Sequence, residues 1–179
     1  PSLGPIVVSG ASGGVGSLAI DLLAGQGYEV VALTGKPQAE QYLRALGARH
    51  LLLRSELRLG TQPLESACWG GAIDGLGGEM LSWLLRTTRP RGNVASVGLA
   101  AGSDLSLNVM PLILRGVSLL GIDSASVPRE TRLAVWRRLA SDLKPRHLDR
   151  SVTREIELAE LPAALPAQLA GGAIGRTRV

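Results

Sequence analysis

The run IVVSGASGGVGSLA, residues 6–19, constrains the fold of this chain more than any other stretch. A β-branched apolar run enters it, four glycines (Gly10, Gly13, Gly14 and Gly16) occupy its middle, and apolar residues at helical spacing leave it. A strand that turns through glycines straight into a helix opens a βαβ unit, because glycine accepts the tight turn and lets the helix lie close to the strand. Alternation extends the pattern. Residues 5–9 predict a strand, Val15 to Gln26 a helix stopped at Gly27, and 28–33 a second strand. Gln38 to Leu46 predicts a helix stopped at Gly47, and 49–53 a third strand. After a looser stretch come a strand at 70–74, a helix from Glu79 to Thr88 and a strand at 92–98. Asn108 can cap a short helix that Gly116 ends, and 117–122 is a sixth strand. This spacing predicts an α/β fold, a doubly wound (Rossmann) six-stranded parallel sheet with helices on both faces. The tail predicts a helix over Arg129 to Leu143, a strand at 153–158, a helix from Leu161 and a last strand at 174–179.

The glycine turn also has a chemistry. Free backbone N–H groups and the positive end of the helix dipole meet there, which makes a site for a pyrophosphate. Read as Ala11-x-Gly13-x-x-Gly16, the turn is a variant of the dinucleotide fingerprint. A triphosphate-cradling loop is excluded, since no Gly-Lys-Ser/Thr follows at the required spacing. An NAD site places an Asp or Glu about 20 residues further on, to hold the ribose 2′-hydroxyl. Here the segment is ALTGKPQ, so Thr34, Gly35 and Lys36 put a hydroxyl, an open backbone and a cation where the carboxylate would stand. That set suits a 2′-phosphate, and NADP(H) is the cofactor expected.

Composition removes several other classes. Lysine and arginine exceed aspartate and glutamate by four over 179 residues, but the basic residues are spread along the chain, aromatics are 3% and there is no Phe. A nucleic-acid module would cluster its charge or offer aromatics for stacking. Cys68 is the only cysteine, and His50 and His147 lie far apart, so neither a disulfide framework nor a zinc constellation can be assembled. No apolar run approaches the ~18 residues of a membrane span. A cytoplasmic, membrane-free protein is expected. The short lead-in PSLGPIVV enters a strand almost at once, as at a domain boundary.

Two enzyme classes share such a loop. Residues 9–16, SGASGGVG, also fit the signature of short-chain dehydrogenases, whose single domain carries a Tyr-x-x-x-Lys pair. Ala32 and Leu46 stand four residues after Tyr28 and Tyr42, so the proton-donating pair is missing. The words GASGGVGS, ALTGK, YLRALGA, IDGLGG, VASVGLAAG, MPLILRGVSLLGIDS and LAGGAIGRTRV, in this order, resemble the cofactor domain of the zinc-free medium-chain dehydrogenase/reductases, in the acryloyl-CoA reductase and quinone oxidoreductase-like branch. The resemblance covers residues 5–179; it departs at Leu112, where the family commonly has Phe, and in a last strand poorer in valine.

The resemblance implies that residues 1–179 are an NADP(H)-binding domain, that an N-terminal catalytic domain is missing, and that the tail from residue 150 packs toward it. It implies a pyrophosphate turn at Ser12, Gly13, Gly14 and Val15, and a 2′-phosphate pocket at Thr34, Gly35 and Lys36 with Arg54 beside them. Gly98, Leu99 and Ala100, after the fifth strand, and Ile122 and Asp123, at the end of the sixth, fall toward the nicotinamide end, since ligands sit outside the carboxyl ends of parallel strands. Asp74 could line the cleft but is expected to cap the helix after it, and Cys68 and His147 are expected to be structural or surface residues. No catalytic acid or base is assigned to these residues. The implied reaction is hydride transfer from NADPH to the activated carbon-carbon double bond of an enoyl-CoA such as acryloyl-CoA, or to a quinone. A dinucleotide-binding sensor or structural module without turnover is the alternative. The apolar sixth strand is expected at the sheet edge, where it would pair with a second copy in a homodimer.

Overall fold

Strand alternation builds the two faces of the sheet. In the computed structural model, which describes residues 1–179, β1 (Ile6–Val8) sends Val7 to one face and Val8 to the other. β2 (Val30–Thr34) repeats this, with Val31 and Leu33 on the first face and Val30 and Ala32 on the second. Strands buried on both sides read as continuous apolar runs, as these do. With β3 (His50–Leu53), β4 (Trp69–Asp74), β5 (Thr88–Ser96) and β6 (Ser118–Gly121) they form a six-stranded sheet in the order β3-β2-β1-β4-β5-β6. Every pairing is parallel. The doubly wound sheet is the one that the alternation predicts.

Helices cover the faces unequally. α1 (Gly14–Gly25) and α2 (Glu40–Ala45) bring Ile20 and Leu43 onto Val8, Val30 and Ala32. α3 (Gly78–Thr87) packs Leu81, Leu84 and Leu85 on the opposite face with Val7, Leu33 and Val94, and α4 (Met110–Leu114) adds Leu112. Each such aliphatic side chain contributes about 1.5–3 kcal/mol when fully buried. Gly27 and Gly47 stop α1 and α2 as expected. Both have positive φ, at 80° and 104°. At the first, Gly27 N–H reaches Ala24 O and Tyr28 N–H reaches Leu23 O; at the second, Gly47 N–H reaches Arg44 O and Ala48 N–H reaches Leu43 O.

Two boundaries differ from expectation by four residues. β5 starts at Thr88, not 92, because Thr88 pairs with Trp69 directly after α3. The ladder then breaks at Arg91, whose φ is 65°, and resumes at Asn93. α5 (Arg129–Leu139) is shorter than 129–143, because Ser141 and Leu143 both donate to Arg138 O in a closing turn ahead of Pro145. Trp136 on α5 is 62% exposed.

The tail forms its own parallel pair, β7 (Val152–Glu155) with β8 (Arg176–Arg178), linked by α6 (Leu161–Leu169). Asp21, buried on α1, anchors its approach. One of its carboxylate oxygens accepts the His147 backbone N–H at 2.8 Å and the other meets His147 Nδ1 at 3.0 Å. His147 is structural, as expected, and Cys68 is an exposed free thiol. No helix is long and apolar enough to cross a membrane.

Candidate cofactor site

The strand order reverses between β3 and β4, so the crevice of a doubly wound sheet falls at the carboxyl ends of β1 and β4. A cavity of about 570 Å³ opens there. Its floor is the glycine turn. Gly13 is extended (φ −83°, ψ 170°) and carries no side-chain cap, so the first N–H groups of α1 are left without an intrahelical partner. Gly16 makes the turn close. A Cβ there would lie 2.5 Å from Gly10 O and 2.8 Å from Ala11 Cα. The residues present therefore fit a pyrophosphate set on a helix N-terminus, approached through a turn without side chains.

Buried hydroxyls fix the loop to its neighbours. Thr34, only 2% exposed at the end of β2, shares a hydrogen bond with Ser12 at 3.1 Å and accepts the Lys36 backbone N–H at 3.1 Å. Its hydroxyl thus ties the glycine turn to the segment carrying Lys36. Ser9 donates to Asp74 Oδ1 at 2.5 Å, and Gly75 N–H donates to Ser9 Oγ at 3.0 Å. Asp74 is fully buried and also accepts Leu76 N–H and, at 2.8 Å, Gly77 N–H ahead of α3. Three donors so placed satisfy a buried carboxylate. Asp74 thus holds the turn ahead of α3 and not the helix's own first N–H groups, and it lies outside the cavity.

Parallel register brings the cations together. Thr34 pairs with Leu53, so Lys36 and Arg54 leave neighbouring strands at the same end, and both line the cavity. They are its only ionisable side chains. Burial holds the Lys36 ammonium below the ordinary lysine pKa, because desolvation disfavours the charged form. The cavity thus offers cations at one end and holds no acid or base for proton transfer.

Ten of the thirteen expected positions line the cavity: Ser12, Gly13, Gly14, Val15, Thr34, Gly35, Lys36, Arg54, Gly98 and Ala100. Gly98 lies against Gly75, where a Cβ would meet the carbonyl at 2.7 Å. Leu99, Ile122 and Asp123 are not part of the lining. Leu99 is 67% exposed on the outside of its turn. Ile122 and Asp123 follow β6, at the sheet edge two strands from the crevice. Asp123 there accepts the Ala125 and Ser126 N–H groups at 3.0 Å each, which lowers its pKa.

The tail supplies a wall that sequence reading missed. Gly171, Ala173 and Gly175 line the cavity with Gln168. Gly175 N–H donates to Ser12 O at 2.8 Å, the Lys36 ammonium donates to the Ala173 carbonyl, and the Arg176 guanidinium lies beside Gly14. Only the glycines and the small residues of LAGGAIGR signalled this segment, and nothing local said where it would lie.

A family model described as zinc-binding dehydrogenase matches residues 14–141. The residues do not fit the zinc of that description: no group of three His, Cys, Asp or Glu side chains could hold a metal ion. A quinone oxidoreductase from Bacillus subtilis, YhfP, is 46% identical over 166 residues, covering 92% of this chain and 50% of its own. Acrylyl-CoA reductase AcuI from Ruegeria pomeroyi is 44% identical over 180 residues, covering 100% of this chain and 54% of its own. The crystal structure of the yhdH oxidoreductase from Salmonella enterica in complex with NADP superimposes with a TM-score of 0.92 at 42% identity, covering 99% of this chain and 54% of that one. The B. subtilis yhfP structure, with NAD bound, gives 0.92 at 45% identity with the same coverage. This chain spans about half the length of the curated relatives it matches. With the model matching residues 14–141 and relatives aligned over nearly the whole chain, this chain belongs to the zinc-binding dehydrogenase family, in the branch of acrylyl-CoA reductases and quinone oxidoreductases.

Proposed function

We propose that this chain is the NADP(H)-binding half of a cytoplasmic reductase that reduces the activated carbon-carbon double bond of an enoyl-CoA such as acryloyl-CoA, or a quinone. The observation that carries the reading is the pair Lys36 and Arg54 at one end of a cavity whose other anion site is the uncapped N-terminus of α1, with no carboxylate in the lining. A bound NADPH supplies the hydride. The chain's own groups bind and orient. The first N–H groups of α1 would hold the pyrophosphate and Lys36 and Arg54 the 2′-phosphate, while Thr34 holds Ser12 and Lys36 in register. Gly98 and Ala100 keep side-chain bulk away from the nicotinamide end.

Proton-handling and substrate-binding groups lie outside residues 1–179 in this reading, since Lys36 and Arg54 are the cavity's only ionisable side chains. The relatives' length supports a further domain, and the outer face of the β7–β8 tail is available to it. The active form is a homodimer through the β6 edge, where Leu120 and Ile122 are exposed. The same absence of an acid or base favours, as a second reading, a dinucleotide-binding module without turnover. Titration with NADPH and NADH tests the cofactor: tighter NADPH binding is expected, and equal affinities overturn the 2′-phosphate site. Reduction of acryloyl-CoA by the whole protein separates the reductase from the module.

A further inference from the structure

We infer that residues 171–175 form a strap across the 2′-phosphate end of the cavity, latched by Lys36 in the free protein and released by a ligand that carries a 2′-phosphate. The inference rests on the reading of Lys36 as a phosphate ligand and adds what that lysine does before the phosphate arrives.

Two ties hold the strap to the cavity wall. At one end Gly175 N–H donates to Ser12 O at 2.8 Å, and Gly13 and Gly175 form an isolated parallel bridge. At the other, the Lys36 ammonium donates to the Ala173 carbonyl, across 137 positions of chain. Ile174, between the ties, packs on the core beside α2, and Thr153 donates to its carbonyl. Gly171 and Gly175 bracket the segment with φ of 71° and 63°. Both values lie in the region that glycine alone enters without strain, so the strap has a turning point at each end. A side chain at Gly171 would meet nothing within 4 Å, which leaves that end room to move.

The Lys36 tie is the one a ligand can take. Lys36 is in none of the chain's ion pairs, and its recorded side-chain partner is a neutral carbonyl. The ammonium bonds either partner with its charge, but a phosphate adds its own negative charge and three acceptor oxygens, so coulombic attraction favours it over a neutral carbonyl. A 2′-phosphate beside Lys36 therefore displaces the Ala173 carbonyl. A 2′-hydroxyl is neutral and does not. The carbonyl thus holds the place of the phosphate, and the Ala173 end of the strap is freed only by a ligand that carries a 2′-phosphate. The Gly175 tie is backbone to backbone and stays.

Hydrogen exchange of the 170–176 segment, read by mass spectrometry, tests this with adenosine 2′,5′-bisphosphate and 5′-AMP as probes, binding being followed separately by calorimetry. The bisphosphate is expected to raise exchange several-fold, and 5′-AMP to leave it as in the free chain. Lys36→Met keeps the length of the side chain without its charge. It is expected to show raised exchange with no ligand and no further response to the bisphosphate. Bisphosphate binding with unchanged or slower exchange, or wild-type exchange in Lys36→Met, overturns the strap while leaving the cofactor reading intact. A bisphosphate that gives no binding heat overturns the phosphate role of Lys36 and the release step with it.

Discussion

In the proposed cofactor site Lys36 carries most of the chemistry at the scale of single residues. It replaces the acidic ribose ligand of an NAD site, and the fold sets Arg54 beside it through the register of β2 and β3. Lys36→Ala is expected to weaken NADPH binding by about 1–3 kcal/mol, roughly 5- to 150-fold, and to leave NADH binding within a small factor. Calorimetric titration with each cofactor checks it. Its pH dependence follows from its surroundings. Burial lowers the Lys36 pKa, so on raising the pH the ammonium is lost earlier than from a free lysine. The binding-competent form is the charged one. NADPH affinity should fall as the pH climbs toward that lowered range while NADH affinity stays level, which the ratio of the two dissociation constants reads directly. Gly16 is the other sensitive position. A methyl group there would press on Gly10 O at 2.5 Å and on Ala11, both backbone atoms that cannot swing aside. Gly16→Ala should cost about 1–3 kcal/mol of stability, seen as a lower melting temperature, and displace the pyrophosphate turn.

At the scale of elements, β6 is the exposed margin of the sheet. Ile122 N–H donates to Ser96 O, so by the two-residue alternation of a strand the N–H groups of Leu119 and Gly121 face the open edge. Antiparallel pairing with a second β6 would use those donors and cover Leu120 and Ile122, which are 44% and 49% exposed. Gly121→Pro removes one donor where a new side chain meets nothing within 4 Å. It should give monomers by light scattering without loss of folding, since proline is accepted at an edge. A wild type that is monomeric at micromolar concentration would remove the interface altogether. Leu119 is the poorer choice for the same experiment, because it packs partly buried against the core.

For the whole molecule, the division of labour predicts binding without chemistry. Residues 1–179 should bind NADPH yet reduce acryloyl-CoA at a trace rate, because hydride transfer needs the substrate held at near-attack distance and the cavity has no group to do it. A stopped assay on this chain and on the whole protein compares the two, and robust turnover by this chain alone would relocate the active site. Most of the sheet could be read before any coordinates. β-branched runs, helical spacing and the stops at Gly27 and Gly47 act within a few residues of themselves, and a parallel sheet has few ways to connect them. The glycine turn, the absence of an acidic residue near Thr34 and the nearness of Lys36 to Arg54 belong to that same local grammar. The places that needed the fold are those decided by contacts distant in the chain. Asp123 turned to its own following amides because β6 lies at the edge, away from the crevice. Thr34 became a brace for Ser12, which a hydroxyl in a list of candidates does not reveal. The tail came to rest on Ser12 and Lys36 because Asp21 holds His147 on α1 and Ile174 finds the core, and such long-range packing leaves no periodicity in the residues that take part in it. What the sequence by itself determined is thus the set of elements and the anion-binding turn, whose causes are local; which segment closes the site was decided by tertiary packing alone.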